Sequence, residues 1–98
     1  MTAIDYHPEA LEELRRAAAY YRDKAVGVAR QFVGEVFRAE GFVAQFPLGG
    51  EEIRPGVRKR PLRTFPYSLL YSPGDDGVLV VAVMHQSRRP EYWTHRAP

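Results

Sequence analysis

The residues of this 98-residue sequence best equipped for chemistry lie in two cationic stretches. The first, Val57 to Tyr71 (VRKRPLRTFPYSLLY), carries Arg58, Lys59, Arg60 and Arg63, with Arg54 just ahead of it, and no Asp or Glu occurs between Ile53 and Gly74. Cations without a carboxylate nearby in sequence set up a local field suited to an anionic partner. The second, His85 to Trp93 (HQSRRPEYW), combines an imidazole, the guanidiniums of Arg88 and Arg89, and the large rings of Tyr92 and Trp93. A guanidinium grips phosphate through paired N–H groups, an aromatic ring can stack a base, and an imidazole exchanges a proton near neutral pH. The same residues also have packing uses. Capping the core is the favoured role for Trp93, and Arg88 or Arg89 can pair with Asp75, Asp76 or Glu91.

Charge is divided unevenly along the chain. Up to Ile53 there are nine acids against six cations, and from Arg54 onward three acids against eight cations. One positive face and an anionic partner follow, either a nucleic acid or an acidic protein segment. The length suits one domain, residues 1–98, with one core, and 45% hydrophobic with 27% charged residues argues against disorder. There is no cysteine, so disulfides and thiolate metal sites are excluded, and the three His fall at no ligand-like spacing. Neither a metal nor another cofactor is expected. The N-terminus has no leader-like pattern, and the longest apolar run, Val78 to Met84, is too short to span a bilayer. A cytoplasmic protein without membrane contact is expected.

The elements that must position these residues can be read in order. Ile4 and Tyr6 alternate in a short edge or joining strand that stops at His7-Pro8. Pro8 suits a first helical position, and Glu9, Glu12 and Glu13 favour the positive end of the helix dipole. Leu11, Leu14, Ala18 and Tyr21 then form one apolar stripe of a helix ending near Lys24. Ala29, Phe32, Val36, Ala39, Val43 and Phe46 share one face of a second helix stopped by Pro47, antiparallel to the first. Leu11, Leu14, Phe32 and Val36 are expected where the helices meet the sheet, in contact with Val80 or Val81. Gly34 and Gly41 lie on the opposite face of that helix, either as tolerated weak spots or where a partner helix approaches. Residues 47–56 read as a loop. Pro61 places the basic strand at an edge or a bulge, with Leu62 and Phe65 as anchors. Tyr67 to Ser72 is the next strand, Pro73 to Gly77 a hairpin turn, and Val78 to Met84 a central strand covered by helices on one face and partly covered on the other.

This order of elements, with the Tyr20-Tyr21 pair, the Phe65-Pro66-Tyr67 corner and the His85 to Trp93 tail as its most specific parts, resembles the RelE/ParE superfamily of type II toxins over nearly the whole chain. The resemblance implies an α+β fold, with a short N-terminal strand and an antiparallel helical hairpin packed on a mostly antiparallel β-sheet. It also implies a bacterial toxin held inactive by a cognate antitoxin that wraps around it in a hetero-oligomer.

The superfamily divides by target. The RelE-like branch cuts mRNA on the ribosome and usually has an Arg before the end of the third strand and another after the last strand, where this chain has Ser68 and Gln86. Attack by a 2′-hydroxyl needs a base, an acid and cations on the phosphorane. The expectation is therefore a ParE-like toxin of the plasmid-stabilisation type that acts by binding, with DNA gyrase the target the resemblance implies. Arg58, Lys59, Arg60, Arg63, Arg88, Arg89, Tyr92 and Trp93 are the expected contacts with target or antitoxin. The alternative is a ribosome-dependent mRNA endoribonuclease with Lys59 and Arg63 on phosphate, His85 as proton carrier, and Tyr92 as stacking residue or acid. A third reading is an antitoxin-binding module that has lost its toxicity.

Overall fold

In a computed structural model that describes residues 2–98, β1 (Ala3–Tyr6) leads into α1 (Pro8–Lys24) and α2 (Val26–Gln45). Then come β2 (Glu51–Arg54), β3 (Val57–Pro61), β4 (Tyr67–Pro73), β5 (Gly77–His85) and a short 3-10 turn at Thr94–Arg96. Pro8 opens α1 as its residue type suggests, and the His7 ring nitrogen Nδ1 accepts the Glu9 N–H at 3.1 Å, which satisfies one of the free donors of the first turn. A single extended residue, Ala25, separates the two helices and makes the hairpin.

The strands form one sheet in the order β1-β5-β4-β3-β2. β1 runs parallel to β5 and all other pairs are antiparallel. A parallel pair needs a long crossover, and the helical hairpin supplies it. The fold is α+β, with both helices against one face of a mostly antiparallel five-stranded sheet. Among the described residues no helix is long and apolar enough to cross a membrane.

The two faces of the sheet bury separate clusters. Phe32, Val36, Ala39 and Val43 of α2 meet Leu69, Tyr71, Val78, Val80 and Val83 on the inner face. Val57, Leu70, Val81 and Ala82 pack against Trp93 on the outer face. Val81 and Ala82 are consecutive yet lie in the same cluster. The reason is a bulge: Leu70 pairs with Ala82 and Tyr71 with Val80, which leaves Val81 as the extra residue. The bulge explains why β5 reads as an unbroken apolar run rather than an alternating one.

Several expectations need correction. Of the two valines expected to meet the helices, Val80 does, and Val81 belongs to the other face. On α1 the face that enters the core is Ala10, Leu14, Ala17, Ala18 and Tyr21, and Leu11 is half-buried outside that cluster. Alanines at the contact let the helix backbone lie close to the sheet. Phe46 is half exposed, because α2 ends at Gln45 and the chain turns away, leaving the ring to pack on Phe42 at 5.4 Å. Residues 47–56 are not all loop. β2 pairs with β3 through a Pro55-Gly56 turn, in which Gly56 takes φ +82. All four β2 side chains are exposed, so no apolar alternation announces the strand. Pro61 is locally at an edge, because β2 reaches only as far as Lys59.

Candidate functional site

The residues that carry the family resemblance converge at one end of the sheet. The Tyr21 ring lies 5.2 Å from Tyr20, 4.8 Å from Phe65 and 6.3 Å from Tyr67, while Phe32 lies 5.3 Å from Phe65 and 5.4 Å from Tyr67. His85 closes the series, perpendicular to Tyr67 at 5.0 Å. Edge-to-face contacts of this kind fix ring orientation as well as bury area. Their consequence is a rigid corner at Phe65-Pro66-Tyr67.

Strand alternation divides the basic stretch. Arg58 and Arg60 pair with Tyr71 and Leu69 and so share the inner face, while Lys59 pairs with Leu70 and takes the outer one. The Arg58 Nη1 donates to the carbonyls of Leu48 at 3.1 Å and Gly50 at 2.8 Å, stapling the α2–β2 connection. The Arg60 guanidinium lies 3.7 Å from the Phe42 ring centroid. The expected single surface of Arg58, Lys59, Arg60 and Arg63 is therefore not formed, and two of its members serve the fold. Nor is the stretch free of carboxylates in space, since β2 sets Glu51 opposite Lys59 and Glu52 opposite Arg58.

Lys59 and Arg63 do meet. They line a cleft of ≈ 460 Å³ together with Tyr67, Ser68, Gln86 and the loop from Pro61 to Pro66. Ser68 and Gln86, the two positions where arginines were expected of the RNA-cutting branch, are thus in the same lining. The loop is held from beneath by Glu35 of α2, which pairing by sequence did not reveal. Its carboxylate accepts the N–H groups of Arg63 at 2.9 Å and Thr64 at 3.0 Å as well as the Thr64 hydroxyl. The signal was present: Glu35 falls in the buried row of α2 beside Phe32, Val36 and Ala39, where a carboxylate needs a partner.

Burial disfavours the charged form of Glu35, but the hydrogen bonds from Thr64 and Arg63 and the nearby Arg38 outweigh it and hold its pKa below the ordinary value of 4.5. A carboxylate with a depressed folded pKa contributes stability that is fully present above its unfolded pKa and is lost as pH falls through the folded one. Glu35→Gln is expected to lower stability by about 1 kcal/mol near neutral pH and to flatten the loss of stability below pH 4.5. Urea unfolding of both proteins across that range checks this. Parallel pH profiles would contradict it.

The tail is committed mainly to structure. Trp93 is 2% exposed and its indole Nε1 donates to the Pro90 carbonyl at 2.6 Å, so it takes the packing alternative and offers no ring face to a partner. Arg54 lies over that ring at 5.9 Å. Tyr92 has Arg88 at 3.8 Å from its ring centroid and Arg96 at 5.0 Å. Burial, and then the neighbouring Glu13 carboxylate, push its phenol pKa above the ordinary value, which makes it a poor acid. Arg89 remains exposed. Sequence reasoning missed Arg96, whose buried side chain bonds Glu13 of α1 through Nη1 at 2.9 Å and Nη2 at 3.2 Å. No local pattern could have shown a pair separated by 83 positions.

Of the four residues named for a nuclease, two line the cleft. Lys59 and Arg63 share the cleft. His85 is on the inner face with Tyr67, and its Nδ1 accepts the Ser87 N–H at 3.0 Å. Tyr92 lies with Glu13 and Arg96, which in turn bond the Val83 N–H and the Val81 carbonyl of β5. Among the described residues, no group of three or more His, Cys, Asp or Glu is placed to hold a metal ion.

Comparison with known proteins agrees with this architecture. The family described as the ParE toxin of type II toxin-antitoxin system, parDE, matches residues 4–90. Among solved structures, one described as the chromosomal ParDE TA system from P. aeruginosa superposes with a TM-score of 0.70. The match is 18% identical and covers 87% of this chain and 96% of that one, a likeness of fold. No curated protein matches the sequence.

Proposed function

The chain belongs to the ParE toxins of type II toxin-antitoxin systems, and from that membership we propose that it arrests growth by binding DNA gyrase and is held inactive by a cognate antitoxin. The observation that supports a binding mode of action is that neither His85 nor Tyr92 is among the residues lining the cleft of Lys59 and Arg63. Proton transfer requires its donor and acceptor within hydrogen-bond reach of the reacting group. A surface that grips a target has no such requirement.

The antitoxin is assigned to the outward face of α2, where Val26, Val33 and Phe37 are 60%, 36% and 66% exposed. Phe37 stands between a groove of ≈ 430 Å³, lined also by Arg22 and Arg30, and one of ≈ 560 Å³ that reaches Ile4. A contiguous apolar patch flanked by cations fits an amphipathic segment with acidic residues. The face is open at Gly41, where an added methyl group would meet nothing within 4 Å. Antitoxin and target then occupy different sides, α2 for the first and the Lys59–Arg63 side for the second.

Purified protein is expected to inhibit gyrase supercoiling, and the small protein encoded beside it to relieve that inhibition. Phe37→Glu should inhibit as well as the parent yet escape relief, because an exposed position accepts the charge while the apolar contact is lost. Codon-positioned mRNA cuts on translating ribosomes that vanish in His85→Ala, with supercoiling untouched by the parent, would replace this reading with the endoribonuclease.

A further inference from the structure

We propose that the cleft between the β3–β4 corner and the end of β5 binds the phosphodiester backbone of a nucleic acid strand without cutting it. The inference deepens the gyrase reading, on which it rests only for the source of the strand, the DNA that gyrase holds.

Charge is the first argument. Lys59 and Arg63 line the cleft and no carboxylate does. Among the described residues neither side chain forms an ion pair within 4.0 Å, the contacts of that kind belonging to Arg16, Arg88, His95 and Arg96. Glu51, the cross-strand neighbour of Lys59, is exposed and outside the lining. Two free cations in one concavity are suited to phosphate oxygens, which carry most of the affinity for a nucleic acid strand.

Rigidity is the second. Glu35 holds the amides of Arg63 and Thr64, the Leu62 N–H donates to the Tyr67 carbonyl at 2.9 Å, and the Gln86 N–H donates to the Pro66 carbonyl at 2.9 Å. Both walls are therefore fixed before any ligand arrives, which lowers the ordering cost of binding. The Ser68 hydroxyl and the Gln86 amide add neutral donors in the same concavity.

The chemistry that is missing completes the assignment. Neither His85 nor Tyr92 lines the cleft: His85 packs edge-on against Tyr67, and Tyr92 lies against Arg88 and Arg96. A strand lying on Lys59 and Arg63 would meet charge stabilisation but neither a base for a 2′-hydroxyl nor an acid for the leaving oxygen. Recognition that depends on the backbone alone should extend to DNA and RNA alike.

Fluorescence anisotropy of short fluorescein-labelled oligothymidylate and oligouridylate strands tests the assignment on the full chain. Both strands are expected to bind the parent and to remain full-length afterwards. Lys59→Glu with Arg63→Glu should weaken binding at least tenfold and reduce the slope of log affinity against log salt by about 1.4, at roughly 0.7 per neutralised phosphate of a single strand. The double alanine variant should lose less in the same direction, and Arg15→Glu on exposed α1 should stay within twofold of the parent. A melting curve on each variant confirms folding. Absent saturable binding, binding indifferent to the Lys59 and Arg63 substitutions, or shortened oligouridylate would each overturn the proposal. Normal strand binding by a protein that leaves supercoiling untouched would remove gyrase as the target and leave the cleft assignment standing.

Discussion

Arg96→Ala is expected to cost about 3–5 kcal/mol of stability and to lower Tm by at least about 12 °C, although the residue lies only two positions from the end of the chain. Its guanidinium makes a two-pronged contact with Glu13 and a further bond from Nη1 to the Val81 carbonyl at 3.2 Å. Its Nε also lies 3.0 Å from a Glu9 carboxylate oxygen. Burial alone would make the guanidinium easier to deprotonate, and the Glu13 carboxylate reverses that effect, so its pKa is raised on balance. Alanine would leave the Glu13 side chain, 16% exposed, with the Val83 N–H at 3.0 Å and the more distant, half-exposed Arg88 guanidinium at 4.0 Å. Breaking one side of a buried pair is costly because the other charge stays behind without compensation. The tail would also lose the tether that keeps Trp93 against Val57 and Leu70. Arg96→Lys, which keeps the charge and loses the fork, should fall between. Thermal and urea denaturation measure both, and an alanine variant that melts with the parent would show that the Arg96–Glu13 contact contributes nothing to the fold.

That pair also marks the limit of what the sequence made legible. Both helices were readable because Phe32, Val36, Ala39 and Val43 repeat at helical steps and Pro8 sets a start that the structure keeps. The hairpin between β4 and β5 was readable from the turn residues Pro73 to Gly77. Each of those signals is local. β2 was not readable, because its four side chains are all exposed and its partner is fixed by backbone pairing rather than by an apolar pattern. The basic stretch was visible as charge, yet counting cations along a strand hides the fact that neighbours point to opposite faces. Alternation from Val57, which enters the outer cluster, already separates Lys59 from Arg58 and Arg60.

The site was legible to the same depth. The Tyr21, Phe65, Tyr67 and His85 rings that suggested the superfamily are the ones that meet in space. Lys59 and Arg63 were named as phosphate contacts, and Ser68 and Gln86 as positions where arginines were expected of the RNA-cutting branch; all four line one cleft, a grouping that the sequence reading did not make. What the analogy could not supply was the face on which His85 lies. That follows from the pairing of Tyr67 with His85, a register set by the length of the β4–β5 hairpin and its bulge.

Phe32→Ala is the substitution expected to join the loss of stability to a loss of binding. The ring is fully buried, with Tyr21, Phe65 and Tyr67 all within 5.4 Å, and truncating such a side chain costs about 3–5 kcal/mol through lost transfer energy and the cavity left behind. Two of those three neighbours, Phe65 and Tyr67, are also walls of the Lys59–Arg63 cleft. The cavity would open directly beneath the corner, so the loop from Leu62 to Tyr67 should loosen before the rest of the sheet. Hydrogen exchange should report this as faster exchange of the Arg63 and Thr64 amides, which Glu35 protects in the parent, than of amides in β5. Strand binding and gyrase inhibition should then weaken at temperatures where the variant remains folded. Phe32→Leu, which fills most of the volume, should retain most of both. If the alanine variant loses stability while its folded fraction binds as tightly as the parent, the corner does not depend on Phe32, and the rigidity attributed to the cleft must come from Glu35 alone.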